Sequence, residues 1–576
     1  MTSSTRAAGW LRRLKCHPAL LGLALPIATL WVHYFPILNN WWTYDDLDIL
    51  HYIDSIGPVA GFYQPELKYN FYTPLQHLSL GIDYLLFGFD PFWFYLHHLI
   101  LFTAILLTAY LLLRRYFSIL ETSLVLILFV VLVPTVEVLS FLMVRHYLEG
   151  LLFSLLSLIF FIIAVERSAW RFALIAAFFY GVATLAKEIY VPLLFAAVVL
   201  PQGEWRQRLT YAIPMVVIAS VYTLVRFYML GEQVLSGYAG QSTELGDIMS
   251  FPAALLDAFH WQEWWQLSVM GLLALLFLSS LLRGGSLWIW RSCVLLSLVV
   301  LPLVPIINRL TEFSYYLLLP GLLIAVLFGV VSHHVLIAIT GKWKYAAVFG
   351  LFAMVLAANW FPMSNHLQTL QSQAEAKKEI ETAILNHDSA NSTIIYDSYV
   401  ADDLVFFHGR LSGLNEVNEN ANELNWCPRA DCLCAQSYSG QTALHHDGAD
   451  WIETLLPDAS CSLPGRTRSL DITITATMPT TLSWEFRPYG AAEGNYFIAA
   501  TQNEFDEQLQ APRILSLPPQ GEVSFCCQPF ASVFEWTINY RSIVEPWEII
   551  SEPITIDMRG AKAGESKQFS WSSGRN

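Results

Sequence analysis

Two adjacent aspartates, Asp45 and Asp46, follow directly on the first long apolar run of the sequence. They stand in the stretch NNWWTYDDLDILHYID, which places further carboxylates and aromatic residues beside them. A carboxylate can accept the proton of a reacting hydroxyl group, although four carboxylates in one segment can also be only a solvated rim. An ionisable residue costs little at a span boundary, whereas one inside a span is expensive and usually functional. The chemistry of this pair therefore depends on which side chains the fold places beside it.

Further charged and polar groups recur at the ends of other apolar runs. The cations among them can reach lipid headgroups and act as anchors, which is common at helix ends. Their order along the chain predicts that they converge on the same membrane face as the aspartates, where they would share one cavity. These residues are Glu137, Arg145, His146, Lys187, Glu188, Asn308, Arg309, Glu312, Tyr315 and Tyr316.

The composition excludes an ordinary soluble globular protein. Of the 576 residues, 55% are hydrophobic and only 14% are charged, and the mean hydropathy is +0.45, which is typical of a polytopic membrane protein. About 20 apolar residues form a helix that crosses ~30 Å of hydrocarbon, and the apolar runs lack the alternation of barrel strands. We predict about eleven transmembrane helices, near residues 19–38, 94–113, 119–135, 148–165, 170–186, 189–201, 209–230, 266–282, 287–306, 316–335 and 345–361.

Lysine and arginine predict the orientation of these helices. Alternate connections carry RAAGWLRRLK, RRYF, ERSAWR, EWRQR and GKWK, whereas the other connections carry only isolated cations. The positive-inside rule then makes the amino terminus cytoplasmic, and an odd number of spans puts the aspartates and the carboxyl-terminal region outside. The first apolar run is too long for the core of a signal peptide and lacks a small-residue cleavage pattern. We therefore expect an uncleaved, multi-pass protein of the bacterial inner membrane.

Hydropathy and the pattern of apolar residues divide the chain into three predicted regions. Residues 1–360 form the transmembrane domain, with a long outer loop at 39–90. Residues 361–435 are predicted to form an extracytoplasmic helix followed by an α/β segment. Residues 436–576 read as short strands separated by turn residues, which predicts a β-sandwich or barrel ending in a disordered tail.

Charge and cysteine usage support an extracytoplasmic tail. From Phe361 onward the chain has 28 acidic and 13 basic residues, which accounts for its whole net charge of −15 and does not resemble a nucleic-acid footprint. Six of the eight cysteines lie in the tail, and an even number in an oxidising compartment favours disulfides over zinc, with the pairing open. They are Cys427, Cys432, Cys434, Cys461, Cys526 and Cys527.

Taken together and in this order, these motifs resemble the GT-C class of membrane glycosyltransferases, which includes protein O-mannosyltransferases and the lipid A aminoarabinose transferase. The resemblance covers roughly residues 19–335 and rests on TYDDLDIL, PLQHLSLGIDYLLFGFDPFWFYLHH, MVRHYLEG, LAKEIY and NRLTEFSYYLLLPG. O-mannosyltransferases usually have Asp-Glu at Asp45-Asp46, and many relatives have an acidic residue where His146 stands. The tail shows no such resemblance, so the acceptor stays open.

The resemblance implies a polyprenyl-phosphate-linked sugar as donor and an inverting transfer to an extracytoplasmic protein, lipid or cell-surface glycan. It makes Asp45 or Asp46 the general base, while the other orients the acceptor or holds a divalent metal, which some branches of the class use. The alternatives are a transporter or flippase for a lipid-linked sugar and a non-catalytic anchor for a β-rich binding domain. The residues implied in substrate binding are Lys187, Glu188, Arg145, His146, Arg309, Glu312 and Tyr316.

Overall fold

The computed structural model consists of two compact units, which divide between Ala376 and Lys377. The first unit is helical and the second is built mainly from strands. The structure describes residues 18–43, 45–63, 72–230, 245–284, 286–300, 303, 306, 310, 313–385, 394–395, 425–426, 442–446, 451–455, 469–477, 481–489, 494–502, 513–517, 519–524, 533–542, 548–562 and 565–572.

Apolar sequences with few breakers form the helices of the first unit. Short 3₁₀ turns at Leu142–Val144, Glu188–Tyr190 and Ser314–Leu317 lie between several of them. In chain order the helices are α1 (Pro18–Tyr34), α2 (Asp46–Ile56), α3 (Pro74–Phe87), α4 (Pro91–Leu113), α5 (Ile119–Val130), α6 (Val133–Ser140), α7 (Arg145–Arg167), α8 (Trp170–Ala186), α9 (Leu193–Val199), α10 (Trp205–Leu230), α11 (Leu245–Ala258), α12 (Trp264–Gly284), α13 (Ser286–Val300), α14 (Leu318–Ala338) and α15 (Trp343–Leu385).

Seven helical segments within the described residues are long and apolar enough to cross a membrane, so the chain is a multi-pass membrane protein by length and composition. An eighth span forms if α5 and α6, which are bent by 61°, count as one. The predicted count of eleven is not confirmed. Helix α8 has 17 residues, α9 has seven, and α13 has 15. The charged pair Lys187-Glu188 and the residue Pro192 separate α8 from α9, because both disfavour a continuous apolar helix there.

Small residues and hydroxyl groups bring the helices together. Ser157 on α7 donates to the carbonyl of Ala176 on α8 at 2.9 Å, and Tyr34 at the end of α1 donates to the carbonyl of Val130 at 2.9 Å. Gly150 on α7 faces the ring of Tyr190, and a Cβ atom there would lie 2.1 Å from that ring. Such contacts are the usual means of association between helices in lipid, where apolar side chains gain nothing by leaving the tails.

The second unit contains the strand-rich carboxyl-terminal region that the sequence predicts. Its strands are β1 (Ile394–Ile395), β2 (Asn425–Trp426), β3 (Thr442–His446), β4 (Trp451–Leu455), β5 (Asp471–Thr477), β6 (Thr481–Arg487), β7 (Gly494–Gln502), β8 (Arg513–Leu517), β9 (Gln520–Ser524), β10 (Val533–Ser542), β11 (Glu548–Ile550), β12 (Ile554–Asp557) and β13 (Ser566–Ser572).

Two antiparallel sheets of this unit form a sandwich. One has the order β13-β5-β6-β9, the other has the order β11-β10-β7-β8, and β12 also pairs with β10. Alternate residues of β5 and β6 are buried, and they share one apolar core with side chains of β7, β10 and β12. A separate small sheet has the order β2-β1-β3-β4, with β1 parallel to both of its neighbours. The six tail cysteines lie outside the described residues.

Candidate functional site

The candidate site lies where several helix ends of the first unit meet. A chain of contacts links the segment before α2, the start of α7, the end of α8, the last turns of α10 and the turn before α14. The linking contacts are Met143 to Asp46, Tyr147 to Tyr315, Lys187 to Tyr147 and Arg226 to Glu188.

Asp46 is buried and ties two distant segments together. Its Oδ1 accepts a hydrogen bond from the backbone N–H of Met143 at 2.7 Å, and its Oδ2 accepts one from that of Thr43 at 2.8 Å. Burial raises the pKa of Asp46 to about 7, against the opposing effect of these two bonds. Only 4% of the residue is exposed. Asp46 therefore holds the segment before α2 against the turn before α7.

Asp45 differs from its neighbour in exposure. It occupies the N-cap position of α2 and is only partly buried. Its carboxylate lies within electrostatic range of Tyr315 and of Asp46. Asp46 is the first residue of α2, whereas Asp45 precedes the helix. Asp45 is thus the more exposed member of the pair.

Lys187 and Glu188 follow the end of α8, where the backbone turns extended. Lys187 is 1% exposed, and its Nζ lies 5.8 Å from the ring centroid of Tyr147 and 3.7 Å from Oε1 of Glu188. Oε2 of Glu188 pairs with Arg226 on α10 at 3.0 Å. Burial would raise the pKa of Glu188, but the charges of Lys187 and Arg226 lower it to about 2. The group is therefore ionised, with two cations around one carboxylate.

Three tyrosines connect Asp45 to this charged group through successive contacts. The ring of Tyr147 is 5.4 Å from that of Tyr315 and 5.8 Å from that of Tyr316, and the hydroxyl oxygens of Tyr315 and Tyr316 are 3.3 Å apart. Tyr190 donates to the backbone carbonyl of Tyr147 at 2.7 Å, which holds the first turn of α7. The cluster offers aromatic faces and hydroxyl groups in a buried place.

Arg145, the first residue of α7, belongs to a second charged group. Its guanidinium is 0% exposed and donates to Asp83 at 2.5 Å and to the carbonyl of Phe94 at 3.3 Å. His97 contacts the same carboxylate at 2.9 Å. Burial favours a higher pKa for Asp83, but His97 and Arg145 together lower it. This pairing joins α3, α4 and α7, and the role of Arg145 in substrate binding stays a prediction.

His146 points to the tyrosines rather than to Asp83. Its ring centroid is 4.6 Å from that of Tyr147, and it lies within electrostatic range of Lys187. Consecutive residues of a helix are about 100° apart around the axis, so neighbours in sequence serve different groups here. Tyr315 has a further support, because its backbone N–H donates to Glu137 at 2.9 Å. His366 contacts the other oxygen of Glu137 at 3.1 Å.

Three predicted site residues, Asn308, Arg309 and Glu312, lie outside the described residues. Within the described part of the chain, no three His, Cys, Asp or Glu side chains group as metal ligands would. The described side chains therefore give no fit for a divalent ion.

Sequence reasoning missed three residues of these clusters. Asp83 and Arg226 are isolated charges within apolar helical stretches, GIDYLLFG and LVRFYML, and that isolation is itself a signal of function or pairing. Tyr147 carries no comparable signal, because a tyrosine in an apolar helix is ordinary core material.

The arrangement combines a reachable carboxylate, a cationic group and aromatic hydroxyls at one end of the helical unit. A carboxylate can accept a proton, and lysine and arginine stabilise developing negative charge. Comparison with known proteins adds no relative, since no family model matches the sequence and no curated protein matches it.

Proposed function

We propose that the chain is a membrane glycosyltransferase that moves a sugar from a polyprenyl-phosphate donor to a hydroxyl-bearing acceptor outside the cytoplasm. One observation carries the proposal. Asp45 and Lys187, which are 142 positions apart in sequence, lie at the same end of the helical unit with Tyr147 and Tyr315 between them. The resemblance of the motifs to the GT-C class supports the same reaction.

The reaction follows from the chemistry of these groups. Asp45 accepts the proton of the acceptor hydroxyl while the oxygen of that hydroxyl attacks the anomeric carbon. The bond between the anomeric carbon and the phosphate oxygen breaks, and the phosphate leaves with the electron pair. Lys187 stabilises the charge that develops on the phosphate. A single displacement inverts the anomeric centre.

We assign the base to Asp45 rather than Asp46. Both oxygens of Asp46 already accept backbone hydrogen bonds, and the side chain is buried. The buried side chain of Asp46 leaves little room for an acceptor hydroxyl, whereas Asp45 is the more exposed carboxylate of the pair.

The orientation is part of the proposal. Helix α7 has 23 residues, so its two ends are about 34 Å apart, and Arg115 pairs with Glu166 at the end away from the site. Cations gather at that far end, which the positive-inside rule makes cytoplasmic. The site and the strand-rich unit are then extracytoplasmic, and crossings by α8, α9 and α13 would complete eleven spans. Described cations of the far end are Arg114, Arg115, Arg167, Arg171, Arg206, Arg208, Arg283, Lys342 and Lys344.

A deletion strain tests the proposal most directly. Mass spectrometry of its surface glycans should reveal one missing sugar, which the wild-type gene restores and Asp45→Asn does not. Asp54→Asn is the matched control, because Asp54 is an exposed carboxylate near the end of the same helix, α2. Full restoration by Asp45→Asn would remove Asp45 from the base role.

A second measurement separates an enzyme from a flippase. The purified chain in lipid nanodiscs receives a polyprenyl-phosphate sugar and an extract of the deletion strain as acceptor. A transferase releases polyprenyl phosphate, whereas a flippase leaves the donor intact. An intact donor, with the missing sugar still restored in cells, would overturn the proposed reaction.

A further inference from the structure

The hydroxyl group of Tyr147 is buried without a hydrogen bond among the described residues. The residue is 0% exposed, and its hydroxyl oxygen has no partner within the described part of the chain. Other fully buried tyrosines of this unit do have partners. Tyr34, Tyr95 and Tyr190 donate to the carbonyls of Val130, Trp41 and Tyr147 at 2.9, 2.9 and 2.7 Å. A buried polar group without a partner is costly and calls for an explanation.

The surroundings of this hydroxyl are polar on several sides. It lies within electrostatic range of the hydroxyls of Tyr315 and Tyr316 and of the Glu188 carboxylate. Tyr315 lies within electrostatic range of Asp45, and Lys187 lies over the face of the Tyr147 ring. Through these contacts Tyr147 is linked both to the proposed base and to the proposed phosphate partner.

The position of Tyr147 indicates which part of a donor molecule it would contact. The phosphate is recognised by cations, and the polyprenyl chain is recognised by apolar surface. A sugar presents many hydroxyl groups and apolar ring faces, and tyrosine hydroxyls and rings match both. Because the reacting anomeric carbon must lie between base and phosphate, the sugar is the part that reaches Tyr147.

We propose that Tyr147 is a sugar-binding residue, whose hydroxyl exchanges a hydrogen bond with a hydroxyl of the transferred sugar beside the Tyr315–Tyr316 pair. The inference rests on the proposed transferase function and names the recognition group within it. Tyr147 determines affinity for the sugar and not for the lipid phosphate.

Binding experiments with the full-length chain in nanodiscs test this assignment. The probes are undecaprenyl phosphate and the same lipid phosphate esterified with mannose, glucose, galactose or aminoarabinose. In the wild type, one ester should bind more tightly than the bare lipid. Tyr147→Phe keeps the ring and removes only the hydroxyl, so we expect about fivefold to tenfold weaker binding of that ester and unchanged binding of the bare lipid. Lys187→Met should weaken both.

The other outcomes separate this inference from the proposed function. If Tyr147→Phe weakens both probes equally or neither, Tyr147 does not read the sugar, although the transferase proposal stands. The same holds if the wild type binds the bare lipid and gains nothing from any sugar. A wild type that binds none of the probes overturns the proposed function itself.

Thermal unfolding supplies a control for a purely structural hydroxyl. Tyr34→Phe removes a hydroxyl that bonds to a backbone carbonyl, so it should lower the melting temperature. Tyr147→Phe should not lower it, because no hydrogen bond within the described residues is lost. An equal fall in both variants would show that the Tyr147 hydroxyl has a partner in the protein, which overturns the assignment.

Discussion

Two charged groups of the helical unit, each containing a fully buried cation, differ in their ratio of cations to carboxylates. Arg145 and His97 meet the single carboxylate of Asp83, and the pairing connects three helices. Lys187 and Arg226 meet Glu188, a group of two full cations and one carboxylate. Both pay the desolvation cost of buried charge. A balanced pair specifies a fold, whereas a positive excess near a reachable carboxylate suits an anionic ligand.

An exposed ion pair at the far end completes the comparison. Arg115 and Glu166 meet at 2.7 Å with both side chains partly in contact with solvent. Exposed pairs of this kind contribute little because water screens them. Burial, more than the distance between the charges, therefore separates the pairs that matter to folding or to a ligand from those that do not. Four predictions test this ranking, from the largest expected effect to the smallest.

Replacing Arg145 should have the largest effect on stability. Arg145→Met leaves the buried carboxylate of Asp83 without its fully buried arginine partner, which should lower the free energy of unfolding by about 3–5 kcal/mol. Urea unfolding in detergent measures this change. The double variant Arg145→Met with Asp83→Asn should recover a large part of the loss, because the amide at position 83 carries no charge that needs a cation. A double variant that is less stable than the single one would show that the pair is not the source of the effect.

Replacing Lys187 should affect the donor more than the fold. Lys187→Met removes a charged partner of the donor phosphate, so KM for the lipid donor should rise by about 10-fold to 150-fold. Steady-state kinetics with varied donor, at fixed acceptor, provide the measurement. Arg145→Met serves as the comparison, because its loss should appear mainly in stability. An unchanged donor KM in Lys187→Met would remove Lys187 from the site.

The pH dependence of Asp46 tests its structural role. Its pKa is about 7 in the folded chain, against about 4 in an unfolded one, so the folded state binds the extra proton between these values. The stability that Asp46 contributes is then fully present below pH 4 and is lost as the pH rises through 7.

Asp46→Asn isolates this contribution. Its amide group faces one of the two backbone donors, so the variant should cost about 1–3 kcal/mol in free energy of unfolding at pH 5. That cost should shrink towards pH 8, because only the wild type acquires a buried charge. Urea unfolding at both pH values is the measurement. A cost that grows with pH would show that the hydrogen bonds outweigh burial.

The exposed pair should give the smallest effect. Arg115→Met should change the free energy of unfolding by less than about 1 kcal/mol, and added salt should reduce the change further. The same urea titration as for Arg145→Met makes the two values comparable. A loss as large as that of Arg145→Met would mean that burial does not rank these pairs.

The sequence predicted the helical elements better than the way they join. Apolar runs and boundary charges follow from composition alone, so the long spans and the strand-rich tail could be predicted. The break in the helix at Lys187 and the bend between α5 and α6 could not be predicted from the sequence, because a hydropathy pattern does not show where a helix changes direction. Asp83 escaped prediction because its partner Arg145 is 62 positions away.

By itself the sequence determined that carboxylates and cations stand at the ends of apolar helices, since lipid excludes such charges from the middle of a span. Only the tertiary structure decided which neighbour does what. Asp46 receives a backbone donor from Met143, 97 positions away, and this contact separates it from Asp45. Helical rotation likewise sends Arg145 to Asp83 and His146 to Tyr147. Adjacent residues have almost the same sequence context, and only packing against distant segments gives them different partners.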